Sequence, residues 1–201
     1  MDRNQTGPAS IREIEIEEKN TVLYPVFMDL EGRRCVVVGG GEVANRKARK
    51  LLQARADVVV ISPEVKPELE SVAVEVHRRL FEAGDLQGAF LAFAATNSRE
   101  VNAEVAREAN ERGIPVNVVD RPSEGSFAVP SVLRRGRMQV AVSTGGASPL
   151  LARSIKDELE GIFGPEWAGL VEKLALARRT GEKADEKLES EVGRCLSQLR
   201  A

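Results

Sequence analysis

The sequence predicts an α/β fold: a doubly wound parallel sheet of the Rossmann type, then a small β-containing segment and a C-terminal helical domain. Three observations carry this expectation. Short β-branched runs alternate with helix-period segments over residues 35–120, as in βαβ units. The first run, Cys35-Val36-Val37-Val38, enters the triplet Gly39-Gly40-Gly41, and a pattern rich in alanine and leucine leaves it. Beyond residue 126 two strand-like runs flank a basic turn, and the rest of the chain has a helical period.

Residues 1–21 form a charged and polar N-terminal arm, with one alternation at Ile14-Glu15-Ile16 that suits either a short added strand or a loose segment. Tyr24–Leu30 lead to the turn Glu31-Gly32-Arg33-Arg34 and then to the strand Cys35–Val38, whose unbroken apolar run suits a strand covered on both faces. The glycines fit G-x-G-x-x-A, with Gly39 allowing a tight strand-to-helix turn. Gly41 lets a pyrophosphate approach the backbone, and Ala44 is small enough for close helix packing. The helix start would direct free N–H groups at that phosphate. The bland alternative is a tight βα turn without ligand; the strand before and the helix after favour a dinucleotide site. That helix puts Val43, Ala44, Ala48, Leu51 and Leu52 on one face and turns Arg46, Lys47, Arg49 and Lys50 to water.

A second strand, Asp57–Ile61, ends in Ser62-Pro63-Glu64. It lies about twenty residues after the glycines, where a NAD-binding unit presents an acid to the adenosine ribose. Here the strand ends in serine, so Glu64 either replaces that acid or is a solvated loop charge. Val72–Val76 reads as a third strand, and Leu91–Asn97 as a fourth that ends in Ala95, Thr96 and Asn97. A helix with Val101, Val105, Ala106 and Ala109 follows and stops at Arg112-Gly113, and Ile114–Asp120 is the fifth strand.

Phe127–Ser143 reads as two strands joined by a basic turn. Ser148 is placed to cap the next helix with Pro149 in its first turn, and Leu150, Leu151, Ile155 and Leu159 give that helix an apolar face. After Gly164-Pro165, Trp167, Leu170, Val171 and Leu174 mark one amphipathic helix, and Leu188, Val192, Cys195, Leu196 and Leu199 mark another. These stripes suit core packing or a subunit contact. The expected organisation is a 1–21 arm, a 22–125 NAD-binding domain, a 126–160 segment and a 161–201 helical domain.

The net charge of −2 argues against broad nucleic-acid binding, and the apolar runs are too short to span a membrane. The first twenty residues lack the apolar core of a secretory signal, and the two cysteines form no disulfide framework. A cytoplasmic setting is expected. With one histidine and no C-x-x-C there is no metal site to expect, and His77 suits an exposed strand position. Asp120 ends a strand on the same sheet edge as Gly39, Ser62 and Thr96. A carboxylate there can act as general base beside a nicotinamide, although position alone favours an Asx-turn. Residues Gly125–Arg153 contain Arg134, Arg135, Arg137 and Arg153 and no acid, which suggests an anionic ligand. Thr144-Gly145-Gly146 before a helix suits a carboxylate.

Separated segments together resemble one family, the precorrin-2 dehydrogenases of the siroheme-synthase N-terminal type. They are Tyr24-Pro25-Val26-Phe27, Val38–Ala44 with Arg46-Lys47-Ala48, and Ala94-Ala95-Thr96-Asn97 with Val101-Asn102. Asn117–Asp120, Ser126-Phe127, Pro130-Ser131 and Val142–Arg153 complete the set. The resemblance spans residues 24–175, and its last motif is far more specific than the glycine turn.

It implies NAD-dependent oxidation of precorrin-2 to sirohydrochlorin, a homodimer in which the 126–160 segment reaches across to its partner, and in some members insertion of Fe(II). Asp120 matches the family aspartate proposed as catalytic base. Gly39, Gly40, Gly41, Glu42, Val43, Ser62, Pro63, Glu64, Ala95, Thr96 and Asn97 are the expected cofactor contacts. Ser126, Phe127, Pro130, Thr144, Gly145, Gly146, Ser148 and Arg153 are the expected substrate contacts, with Thr144 where some members carry a phosphorylatable serine. NAD is expected over NADP because no arginine adjoins the second strand's end. Ala54-Arg55-Ala56 stands where many members have Ala-Gly-Ala, which predicts a weaker helix end. A non-catalytic, NAD-binding redox sensor needs only the glycine turn and is the competing expectation.

Overall fold

The computed structural model describes residues 22–71, 75–181 and 185–199; the N-terminal arm and Val72–Val74 lie outside them. Five parallel strands, β1 (Arg34–Val38), β2 (Asp57–Ile61), β3 (Glu75–His77), β4 (Leu91–Ala94) and β5 (Val116–Val118), form one sheet in the order β3-β2-β1-β4-β5. The order reverses beside β1, so the carboxyl ends of β1 and β4 flank a crevice at the switch point. Val37 pairs in register with Val60 on one side and Phe93 on the other.

The continuous apolar runs follow from burial on both faces. One face packs Val36, Val38, Val59, Ile61, Ala92 and Ala94 against Val105, Ala106 and Ala109 of helix α3 (Arg99–Glu111). The other packs Cys35, Val37, Val58, Val60, Leu91 and Phe93 against Ala44, Ala48 and Leu51 of helix α1 (Glu42–Gln53) and Leu69 of the short helix α2 (Pro67–Glu70). Burial pushes the Cys35 thiol up to about 11, helped by the Asp57 charge, so this cysteine is an inert core residue.

Of the expected strand Val72–Val76, Val72–Val74 lie outside the described residues; the described strand runs Glu75–His77 at the sheet edge, where the His77 ring nitrogen meets a Glu75 carboxylate oxygen at 2.7 Å. β5 starts only after Pro115, which has no N–H to give a ladder. Lys47 does not face water freely. It is half-buried, with its ammonium 5.2 Å from the Phe93 ring centroid. The face of β4 beside α1 is closed by Phe127 and the Lys47 stem rather than by a further helix, and a lysine stem can cover apolar surface.

The second part of the chain has the expected hairpin, β6 (Ser131–Arg135) and β7 (Met138–Val142), antiparallel around Gly136. Helix α4 (Pro149–Ile162) packs on it, capped by Ser148, whose hydroxyl oxygen accepts from Leu151 N at 3.1 Å. The expected apolar face of α4 is not core within this chain. Only Ala152 is buried, while Leu150, Leu151 and Ile155 are 73%, 51% and 38% exposed. Helices α5 (Glu166–Thr180) and α6 (Glu186–Gln198) bury Trp167, Leu170, Leu188 and Cys195 together against Met138 and Phe163.

Candidate functional site

The carboxyl edge of the parallel sheet brings separate turns into one open cleft of about 1010 Å³. Gly39, at φ 128°, crosses so close to β4 that a Cβ would lie 2.3 Å from the Ala95 carbonyl oxygen. At Gly40 a Cβ would lie 1.8 Å from the Glu64 carbonyl oxygen, which explains a glycine in the slot the motif leaves free. Gly41 caps α1 and has open space where a Cβ would point. No side chain caps α1, unlike α3 and α4, so its first-turn amides remain available on the cleft side. Open space at Gly41 and uncapped amides fit a pyrophosphate.

The loop after β2 folds over the glycines. The Ser62 hydroxyl donates to the Glu64 carbonyl at 2.8 Å, and Lys66 N donates to the Gly40 carbonyl at 3.1 Å. Lys66 also pairs with the Glu42 carboxylate at 2.9 Å, and its hydrogen bond and charge hold Glu42 below the usual carboxylate range. Glu64 makes no side-chain hydrogen bond or ion pair among the described residues, so of the two acids it is the one free to meet a ribose. All eleven expected cofactor residues line this cleft with Asp120, joined by Val65, Lys66, Arg99 and Val119.

Asp120 is exposed at the cleft, but two side chains hold its carboxylate. One carboxylate oxygen accepts from Asn102 Nδ2 at 2.9 Å and the other from Arg99 Nη1 at 3.1 Å. Burial pushes the Asp120 carboxyl up, but hydrogen bonds from Arg99, from its own backbone N–H and from Asn102, with the Arg99 charge, outweigh it and hold the group below the usual range. Arg99 also clasps Glu124. Asn102 is fully buried, accepts from Thr96 N at 3.1 Å and from the Thr96 hydroxyl at 2.8 Å, and donates to the Thr96 carbonyl at 3.1 Å. It therefore locks the end of β4 to Asp120. Sequence reasoning gave Arg99 and Asn102 no part in the site. A signal existed for Asn102, because it falls on the apolar stripe of Val105, Ala106 and Ala109, where a polar residue must find partners.

The eight expected substrate residues lie elsewhere: none lines the cleft within this chain. The Ser126 hydroxyl oxygen accepts from Val116 N at 2.9 Å, Asn117 donates to the Phe127 carbonyl at 3.0 Å, and Phe127 meets Phe93 edge-on at 5.4 Å. Ser126 and Phe127 thus anchor the outgoing chain to the sheet, with Pro130 just before β6. The Thr144 hydroxyl accepts from Ser148 N at 3.0 Å and donates to its carbonyl at 3.1 Å, folding the loop through Gly145 and Gly146 at φ 64° and 93°. Arg153 is exposed in the first turns of α4, with no acid partner among the described residues. The described residues contain no group of three or more His, Cys, Asp or Glu that could hold a metal ion, and no helix is long and apolar enough to cross a membrane.

Fold and cleft define a dinucleotide-binding α/β protein, and comparison with known proteins gives the particular family. The family described as "Putative NAD(P)-binding" matches residues 26–131, and the one described as "Sirohaem biosynthesis protein central" matches residues 135–162. The siroheme synthase of Methylobacillus flagellatus is 49% identical over 140 residues, 68% of this chain and 30% of its own length. That of Nitrosomonas europaea is 44% identical over 159 residues, 77% of this chain and 34% of its own. The chain spans about a third of the length of these curated relatives. A solved structure of SirC, a precorrin-2 dehydrogenase, is 30% identical with a TM-score of 0.67, covering 87% of this chain and 88% of that one. The chain belongs to the NAD(P)-binding family that siroheme synthases and this precorrin-2 dehydrogenase share.

Proposed function

We propose that this chain oxidises precorrin-2 to sirohydrochlorin with NAD as oxidant, as a step in siroheme biosynthesis. The observation that carries it is the shared cleft. The glycine turn and a fixed, ionised Asp120 line the same crevice, in a chain whose structural relative is named a precorrin-2 dehydrogenase. Bound NAD supplies a hydride acceptor. Gly39–Gly41 and the α1 amides hold its pyrophosphate, and Glu64 receives the ribose at the end of β2. Asp120 takes the proton that leaves as the hydride departs. Loss of hydride leaves the macrocycle cationic and its proton acidic, so a carboxylate of low pKa is base enough. Asn102 and Arg99 aim that carboxylate.

The second wall of the site is the 126–160 segment, which brings Ser126, Phe127, Pro130, Thr144, Gly145, Gly146, Ser148 and Arg153 to the substrate. Within one chain these residues stand outside the cleft, which supports a homodimer in which a second copy completes it. The exposed apolar face of α4 supports the same assembly. The 22–125 region is then the cofactor domain and 161–201 a helical domain, working in the cytoplasm.

The test is an anaerobic assay of the full chain with precorrin-2 and NAD, followed by NADH and sirohydrochlorin absorbance. Asp120→Ala should lower turnover by about 10²–10⁴-fold with NAD affinity kept. Undiminished turnover would remove Asp120 from the mechanism, and tight NAD binding by the native chain without turnover would favour a redox sensor instead.

A further inference from the structure

The lining of the cleft carries two cations, Lys66 and Arg99. Arg99 is clasped by Asp120 and Glu124 on the β5 side. Lys66 stands on the β2 side, where Glu42 and Glu64 also line the cleft, and its ammonium lies 2.9 Å from the Glu42 carboxylate. Glu42 is the first residue of α1, at the uncapped helix start that fits a pyrophosphate. An acid in the first turn suits the helix dipole, yet it repels an anion brought to the same amides. Lys66 resolves that conflict, because a paired Glu42 presents little net charge. A plain surface ion pair is the competing explanation. Its side chains are 49% and 68% exposed, so the pair contributes little to folding. Nor does the loop depend on it. Lys66 is tied by its backbone N–H to the Gly40 carbonyl, and the Ser62 hydroxyl ties the Glu64 carbonyl. Backbone bonds fix the place of the lysine, and its charge lies at the cofactor cleft.

We propose that the Lys66–Glu42 pair sets both the affinity for the dinucleotide and the choice of NAD over NADP. Lys66 offsets the carboxylate that would otherwise face the pyrophosphate, and Glu42 in turn holds the ammonium away from a 2′-phosphate. Glu64, without a side-chain partner among the described residues, meets the hydroxyls of an unphosphorylated ribose and repels a phosphorylated one. Discrimination then comes from a cation that is present but engaged, and not from the lack of an arginine after β2 alone. The inference rests on the dinucleotide reading of the cleft and is independent of the identity of the substrate.

The test is calorimetric titration of the full chain with NAD and with NADP, for the native protein, Lys66→Gln, Lys66→Arg, Glu42→Gln and the double variant Lys66→Gln with Glu42→Gln. The backbone bond from residue 66 to the Gly40 carbonyl needs no side chain, so native circular dichroism is expected throughout. Lys66→Gln should weaken NAD binding about tenfold, and Lys66→Arg should keep most of the native affinity. Glu42→Gln frees the ammonium, so NADP should bind about tenfold more tightly while NAD changes by less. The double variant should bind NAD more tightly than Lys66→Gln does, because no bare carboxylate is left. Native NAD affinity in Lys66→Gln overturns the proposal, and so does an unchanged ratio of NADP to NAD affinity in Glu42→Gln. A double variant no tighter than Lys66→Gln also overturns it, since the lysine would then act on a phosphate directly. Should Lys66→Gln not fold, the ratio in Glu42→Gln decides. A native chain that binds neither dinucleotide removes the proposal together with the reading of the cleft. One that binds NAD without oxidising precorrin-2 loses the dehydrogenase reading alone, and the titrations still decide the pair.

Discussion

Arg55 sits in the left-handed region at φ 59°, the one described non-glycine residue with positive φ. It follows the C-cap of α1, where a glycine would adopt that conformation without strain. The left-handed penalty for a residue with a Cβ is about 1–2 kcal/mol. Glycine in its place gains that back, less about 0.5–1 kcal/mol for its freer unfolded chain. The lost pair with Glu31, at 3.1 Å between exposed side chains, adds little. Arg55→Gly should therefore raise stability by about 0.5 kcal/mol in urea unfolding; lower stability would show that the Glu31 pair outweighs the backbone. The missing glycine showed only through the family resemblance, in which many members have Ala-Gly-Ala where Ala54-Arg55-Ala56 stands; the left-handed φ of Arg55 gives the physical reason. At Gly40 the need for glycine comes from the Glu64 carbonyl, contributed by a loop the glycine motif does not mention.

The start of α3 does for Asp120 what no single residue does. Ser98 caps it, Arg99 and Asn102 project toward β5 one helical turn apart, and Asp120 is clasped between them. Arg99→Met removes the strongest of the forces that lower the Asp120 carboxyl pKa and leaves burial, which raises it. The Asp120 pKa should therefore move up, and the acid limb of turnover should move to higher pH with it. Carboxyl chemical shifts followed through an acid titration check this; an unmoved or lowered midpoint would mean that Arg99 serves only to hold Glu124. The sheet was legible because each buried strand must be apolar on both faces, so β1, β2 and β4 stand out as unbroken runs. The clasp was not. Arg99 and Asp120 are 21 residues apart, and only the parallel pairing of β4 with β5 brings them together. Lys47 was misplaced because the charge on its head suggested water, whereas its place one turn after Val43 sets its ammonium over the Phe93 ring.

At the scale of the molecule, the apolar surface is unevenly satisfied. The two faces of the parallel sheet are closed, yet α4 leaves Leu150, Leu151 and Ile155 exposed, and the segment before β1 leaves Val22 93%, Tyr24 86% and Phe27 68% exposed. Helical periodicity identified the α4 stripe correctly but carries no information on whether the same chain or another covers it. The loop Thr144–Ser148 and Arg153 border this stripe, and none of them reaches the cofactor cleft of their own chain. Cofactor binding therefore needs one chain, whereas turnover needs two if a second copy supplies the far wall. That difference separates the two levels experimentally. Leu151→Glu places a carboxylate on the exposed face without touching the core, so α4 should keep its helicity by circular dichroism. Light scattering should report a dimer for the native chain and a monomer for the variant, because an unpaired charge is costly to bury in an apolar contact. NAD affinity should remain native while precorrin-2 oxidation falls by at least about tenfold, the fall expected when a site loses one substrate-holding wall. A native chain that is monomeric and fully active would place the complete site within one chain, and would require the loop at Gly145 to swing onto the cleft during binding.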